Sequence, residues 1–164
     1  MMSTWEQLET AFVDDHRTMT RGYVELLEAI LSRDFASASQ IATRLDELAG
    51  PHIEFEEQCL YPEVKKIRGD SYTSRLYEEH DEVLRALVEL QALSPESTPQ
   101  DDRVTVWAEQ IQHGLDHAAA CGSLLSHLQA QSTQQQQQYL ESLGRLRKQG
   151  HRWSDLHCST KKRD

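Results

Sequence analysis

Five residues with metal-donor side chains fall on the apolar stripes of otherwise amphipathic segments: His16, His52, Glu56, His80 and His117. His52 and Glu56 stand one helical turn apart in "HIEFEEQCLYP", residues 52 to 62, on the face that Leu45 and Leu48 mark as apolar. An unpartnered buried polar group costs roughly 1–3 kcal/mol, and a buried unpaired carboxylate costs more. Four imidazoles and a carboxylate without partners would therefore consume most of a typical folding stability of about 5–15 kcal/mol. A bound cation removes that penalty directly. Neutral imidazole and ionised carboxylate are good donors to first-row transition ions, and helical bundles build such sites from inward-pointing Glu and His.

The spacing strengthens this reading. His16 and His80 are 64 positions apart, and His52 and His117 are 65 apart. Each half of the chain thus carries a histidine on one segment and a second one 36 or 37 residues later on the next. At the same offset of 65, Glu56 corresponds to Cys121. Antiparallel helices of equal length bring such residues to one level.

The elements that must position them are helical throughout. Ser3 and Glu6 form a capping box ahead of the stripe Trp5, Leu8, Phe12, His16, Met19, Tyr23, Leu26, Ile30. "SRDF" at 32 to 35 is a break, with Asp34 as N-cap. A second helix is expected over 35 to 67, on the stripe Ile41, Leu45, Leu48, His52, Phe55 or Glu56, Cys59, and Pro51 should kink or divide it. "RGDS" at 68 to 71 turns the chain into a third helix bearing Leu76, His80, Val83, Leu87 and Leu90. "LSPESTPQDD" is a loop, with Thr98-Pro99 expected to start a fourth helix that carries Val104, Trp107, Ile111, Ala118, Cys121, Leu125 and Leu128. Leu140, Leu143 and Leu146 keep helical period through the glutamine-rich stretch beyond. The expected architecture is an all-α, up-down four-helix bundle over residues 1–130, a helical extension over 131–150 and a loosely ordered tail over 151–164.

A net charge of −10 over 164 residues argues against a nucleic-acid surface, and "KKRD" at the end reads as a solvated tail. No apolar run is long enough to span a membrane, and "MMSTWEQLE" lacks the pattern of a signal peptide. Three cysteines (Cys59, Cys121 and Cys158) do not make a disulfide framework, so a cytoplasmic protein is expected.

The order histidine, His-x-x-x-Glu, histidine, then a second His-x-x-x motif resembles the hemerythrin-like (HHE cation-binding) family over about residues 10 to 130. "HIEFEEQCLYP" is similar to that family's second-helix signature and "EEHDEVL" to its third. The resemblance implies a four-helix bundle around a non-heme di-iron centre, with His16, His52, Glu56, His80 and His117 as ligands. Members bind oxygen, sense oxygen or iron, or handle nitric oxide and iron. The function expected is the binding or sensing of a small diatomic, oxygen or nitric oxide, or iron handling, with mono-iron or zinc as alternative contents. An oxidase or peroxidase-like enzyme is one rival. A regulatory module with a structural metal and a protein partner at the C-terminal extension is another.

Two departures mark this chain. The second motif reads "HAAAC", so Cys121 stands where the family has a second bridging carboxylate; the thiol is either a ligand or a small buried hydrophobe. Leu84 replaces the additional third-helix histidine of the oxygen carriers. His113, one turn before His117, either supplies a substitute donor or sits at the rim. Glu57, Glu63, Glu78, Glu79 and Asp81 read as solvated, Tyr23 and Tyr61 either as packing residues or as hydrogen-bond donors to a bound small ligand, and His127, His151 and His157 carry no spacing signal.

Overall fold

The computed structural model describes residues 1–160, with side chains described as far as Leu156. Its first helix, α1 (Thr4–Leu31), opens on the expected capping box, in which Ser3 Oγ accepts from the Glu6 amide and Glu6 accepts from the Ser3 amide. Asp34 caps α2 (Phe35–Phe55). Short connections follow to α3 (Tyr61–Arg68), α4 (Asp70–Gln91) and α5 (Asp101–Cys121). Helix α5 begins after Gln100 rather than at Thr98-Pro99. A 3₁₀ turn (Gly122–Leu125) and a single turn, α6 (Ser126–Gln129), lead to α7 (Thr133–Gln149), which has its own capping box of Ser132 and Gln135. Gly150 ends α7 with a φ of 63°, a left-handed conformation in which glycine carries no Cβ penalty. The last element is α8 (Trp153–Thr160). The described residues are all helical or connecting, and no helix among them is long and apolar enough to cross a membrane.

The second helix is not broken at Pro51. Proline removes one helical donor, facing the carbonyl four residues back, and that residue, Glu47, lies on the exposed face where solvent serves it. The irregularity comes later, as a π-helical turn over Glu56–Leu60 in which the Tyr61 amide bonds back five residues to the Glu56 carbonyl. Such turns insert one residue into a helix and re-aim the side chains around them.

Helix α1 packs against α2 and α5, and α4 packs against the same two, so four long helices close a ring. The interior holds two apolar clusters. One gathers Met19, Tyr23, Leu26, Leu45, Val83, Leu87, Trp107 and Ile111; the other gathers Leu8, Phe12, Phe55, Tyr61, Leu76, Cys121 and Leu125. The order in which the chain meets the two clusters reverses on each successive long helix. The histidines of α1, α4 and α5 all fall where one cluster gives way to the other. The polar residues thus form one level between two apolar floors.

Two expectations need correction. Leu48 is 51% exposed and lies outside the apolar face, which Leu45, Ala49 and Ile53 supply instead. Residues 151 to 156, expected to be loose, are docked on α2: Trp153 is 3% exposed, and Asp46 accepts from both the amide and the hydroxyl of Ser154 at 2.7 Å. Gly50 permits this approach, because a Cβ there would lie 1.9 Å from the His151 carbonyl oxygen. The "KKRD" segment and the side chain of His157 lie outside the described residues.

Candidate metal centre

Each long helix delivers its histidine to the polar level, and Glu56 lies at the middle. Its Oε1 is 3.2 Å from His52 Nε2, 3.7 Å from His16 Nε2 and 2.9 Å from the Cys121 sulfur. Its Oε2 is 3.1 Å from His80 Nε2. Two donor triads result, His16–Glu56–Cys121 and Glu56–His80–His117, each with its ligand atoms within 4.8 Å of one another. Glu56 belongs to both. His52 stands beside the first triad through its contact with Glu56. His113 stands apart: its side chain is 57% exposed and its Nδ1 pairs with Glu82.

All four inner histidines have the same orientation. Nδ1 of His52 donates to Asp15 at 3.2 Å, Nδ1 of His80 to Glu57 at 2.9 Å, and Nδ1 of His117 to Glu79 at 2.5 Å. His16 Nδ1 donates to the Phe12 carbonyl at 3.2 Å. Carboxylate and carbonyl oxygens only accept, so the Nδ1 positions carry the protons and the Nε2 atoms face the centre. Outer partners of this kind fix the tautomer and ring plane of metal-ligating histidines.

Glu57 and Glu79, expected in solvent, instead bond His80 and His117, and the outer acids share one rule. Asp15 precedes His16 but serves His52 on the next helix. Glu57 follows Glu56 but serves His80, and Glu79 precedes His80 but serves His117. A residue adjacent to a ligand points about 100° away from it around the helix, sideways towards the neighbouring helix. An acid directly next to a candidate ligand was therefore the usable signal.

Burial favours the neutral imidazole at His52 and His80. At His52 the Glu56 charge and the Asp15 bond outweigh it, and at His80 the bonds to Glu56 and Glu57 do so; both pKa values rise to about 9. His16 and His117 go the other way, lowered first by burial and then by the neighbouring histidines. Burial drives the Glu56 carboxyl upward, yet His52 and His80 hold it well below the usual carboxylate range. Burial and the Glu56 charge push the Cys121 thiol up, so it remains a thiol donating to Glu56 Oε1. Charge in this core is balanced only by protons on histidine or by cations.

The profile of the hemerythrin HHE cation-binding domain matches residues 8–130. The chain belongs to this family. The donor set fits the family's cation: imidazole nitrogens and a shared carboxylate suit first-row transition ions, and each imidazole is already oriented for coordination. A DNA nickase of Nostoc sp. (strain PCC 7120 / SAG 25.82 / UTEX 2576) is 30% identical over 86 residues, which cover 51% of this chain and 24% of the nickase. No solved structure matches the HHE chain. A surface depression of about 510 Å³ between α1 and α5, lined by Phe12, His16, Arg17, Arg21 and Ala118 among others, reaches the edge of the polar level at His16.

Proposed function

We propose that this HHE chain, as an up-down four-helix bundle, holds a pair of iron ions between its helices and uses them to bind or sense a small diatomic, oxygen or nitric oxide, or to handle iron. The observation that carries the reading is the common orientation of the four histidines, with Nε2 inward around Glu56 and Nδ1 tied back. His16, His52 and Glu56 Oε1 would hold one ion, and His80, His117 and Glu56 Oε2 the other. Ferrous ions there would supply reversible electron donation to a small ligand.

The chain's own residues do the rest. Glu56 links the two donor sets with its two oxygens, and Asp15, Glu57 and Glu79 keep the rings aligned and basic. Phe12 and Phe55 beside the site are fully buried and exclude water. The depression at His16 is the approach for a small ligand. His113 belongs to the rim on this reading, and Cys121 remains a hydrogen-bond donor to Glu56. The free thiols Cys59 and Cys121 suit a reducing, cytoplasmic setting. The nickase activity of the relative is not carried over, since a net charge of −10 opposes docking on a phosphate backbone.

Absorption spectra of anaerobically prepared ferrous protein, before and after air or nitric oxide, test the proposal. Reversible ligand bands support it. Consumption of oxygen and a reductant favours an oxidase or peroxidase-like enzyme. A tightly held zinc with no spectral response favours a structural metal in an interaction module.

A further inference from the structure

Tyr61 opens α3, and the π-helical turn before it sets its ring beneath Glu56. The side chain is fully buried. Its hydroxyl oxygen lies 2.9 Å from His80 Nε2, 3.2 Å from His117 Nε2 and 3.4 Å from Glu56 Oε2. A phenol has one proton and cannot serve three acceptors together. With Nδ1 of His80 and of His117 donating to Glu57 and Glu79, and a second proton on His80 Nε2, the phenolic proton can serve His117 Nε2 or Glu56 Oε2 but not both.

The separations have a simpler meaning. Metal–donor bonds of about 2.0–2.2 Å place neighbouring donors roughly 2.8–3.6 Å apart, between the octahedral and tetrahedral limits. The three Tyr61 distances fall in that window, as does the 3.1 Å between His80 Nε2 and Glu56 Oε2. Four of the six separations among these donor atoms thus suit adjacent ligands of one ion, and the ligand atoms of Glu56, His80 and His117 all lie within 4.8 Å of one another.

We propose that Tyr61 is a metal ligand: its phenolate joins His80, His117 and Glu56 Oε2 in holding one cation of the pair. The proposal rests on the metal-centre reading above and adds a donor to it. On binding, the phenolic O–H bond is exchanged for an oxygen–metal bond, and the proton leaves to solvent. The phenolate adds a negative charge beside Glu56, where the neutral Cys121 thiol supplies none. As a hard anionic oxygen it favours ferric iron over softer ions. The π-helical turn makes the contact possible, because the inserted residue swings Tyr61 onto the Glu56 side of the helix.

The test is ferric loading of the full chain, with metal analysis and resonance Raman spectroscopy of the visible band. The wild type is expected to hold two tightly bound irons per chain and to display tyrosinate ring modes in a phenolate-to-iron charge-transfer band. Tyr61→Phe, which keeps the packed ring, should lose that band and one of the two irons. Tyr23→Phe, at another buried tyrosine, should keep both. Tyrosinate modes that persist in Tyr61→Phe overturn the proposal, and so does an iron-loaded wild type without them, a result that needs no variant to fold. A wild type that takes up no iron overturns the metal-centre reading itself, which separates the two failures.

Discussion

Replacing Glu57 by alanine removes the oxygen that lies 2.9 Å from His80 Nδ1 and touches no donor atom of the centre. Glu57 is 22% exposed against 36% for Glu79, and His80 itself only 2%, so water replaces the lost bond less readily here. The ring then loses its fixed plane, its fixed tautomer and part of its basicity together. Outer-partner losses of this kind weaken metal binding about 10- to 100-fold, or roughly 1.4–2.8 kcal/mol, and His80 should fall at the upper end because it is so deeply buried. Glu57→Gln keeps an accepting oxygen and removes only the charge, so a loss near about 10-fold is expected. Glu79→Ala should also cost about 10-fold, since Glu79 is 36% exposed and solvent replaces part of its bond to His117. Glu82→Ala is the control, because its partner His113 lies at the rim. Competition against a chromophoric chelator at fixed pH and salt gives the affinities, and far-ultraviolet circular dichroism confirms that each variant is folded. At saturating metal the same interval should appear as lost holo-protein stability. Wild-type affinity in Glu57→Ala, or an equal loss in Glu82→Ala, would refute the orientation argument.

Metal-free protein should melt below metal-loaded protein, because a cation replaces protons as the counter-charge of Glu56; equal melting temperatures with and without chelator would remove the metal from the account. His117→Ala should lower metal content while His113→Ala leaves it unchanged, and the reverse result in metal analysis would exchange their roles. Cys121→Ala should keep the metal count, as the thiol donates to Glu56 Oε1 and does not ligate; loss of an ion per chain would make sulfur a ligand. Gly50→Ala should expel residues 151 to 153 from α2, since the new Cβ meets backbone rather than a flexible side chain. Trypsin should then cleave after Arg152 much faster than in wild type, and unchanged cleavage would mean that the helices shift apart to accept the methyl group.

The convergence of His16, His52, Glu56, His80 and His117 was legible because helical period places inward residues by spacing alone. The supporting residues were less so. Asp15, Glu57 and Glu79 lie off the apolar stripe, and a stripe-based reading assigns every such acid to solvent. They point instead into the seams between helices, a direction set by tertiary packing. The contacts of Tyr61 with Glu56, His80 and His117 were hidden for another reason: a π-helical turn has no propensity signature, and in regular helical register five residues from Glu56 is a different face. The docking of Trp153 was hidden because Gly50 within a helix reads as a mild defect rather than as room for another segment. Pro51 misled in the opposite sense, drawing the expected break one and a half turns too early.

Charge connects these residues to the stoichiometry. Asp15, Glu56, Glu57 and Glu79 place four carboxylates around the polar level, and Arg147, which donates to Asp15 at 2.8 Å, offsets one of them. With neutral imidazoles the region is therefore three charges negative. In the metal-free chain, protons on His52 and His80 recover two, which is why both pKa values sit near 9 while His16 and His117 stay neutral. A single divalent ion displaces only the proton of the set it enters, on His52 or on His80, and with the proton left on the other histidine it balances the three charges. Two divalent ions bring four positive charges, one more than the carboxylates balance, and a Tyr61 phenolate supplies the remaining negative charge. The acids beside the ligands, the neutral Cys121 thiol and the buried phenol then form one arrangement, in which two divalent cations and an ionised Tyr61 would leave the region neutral.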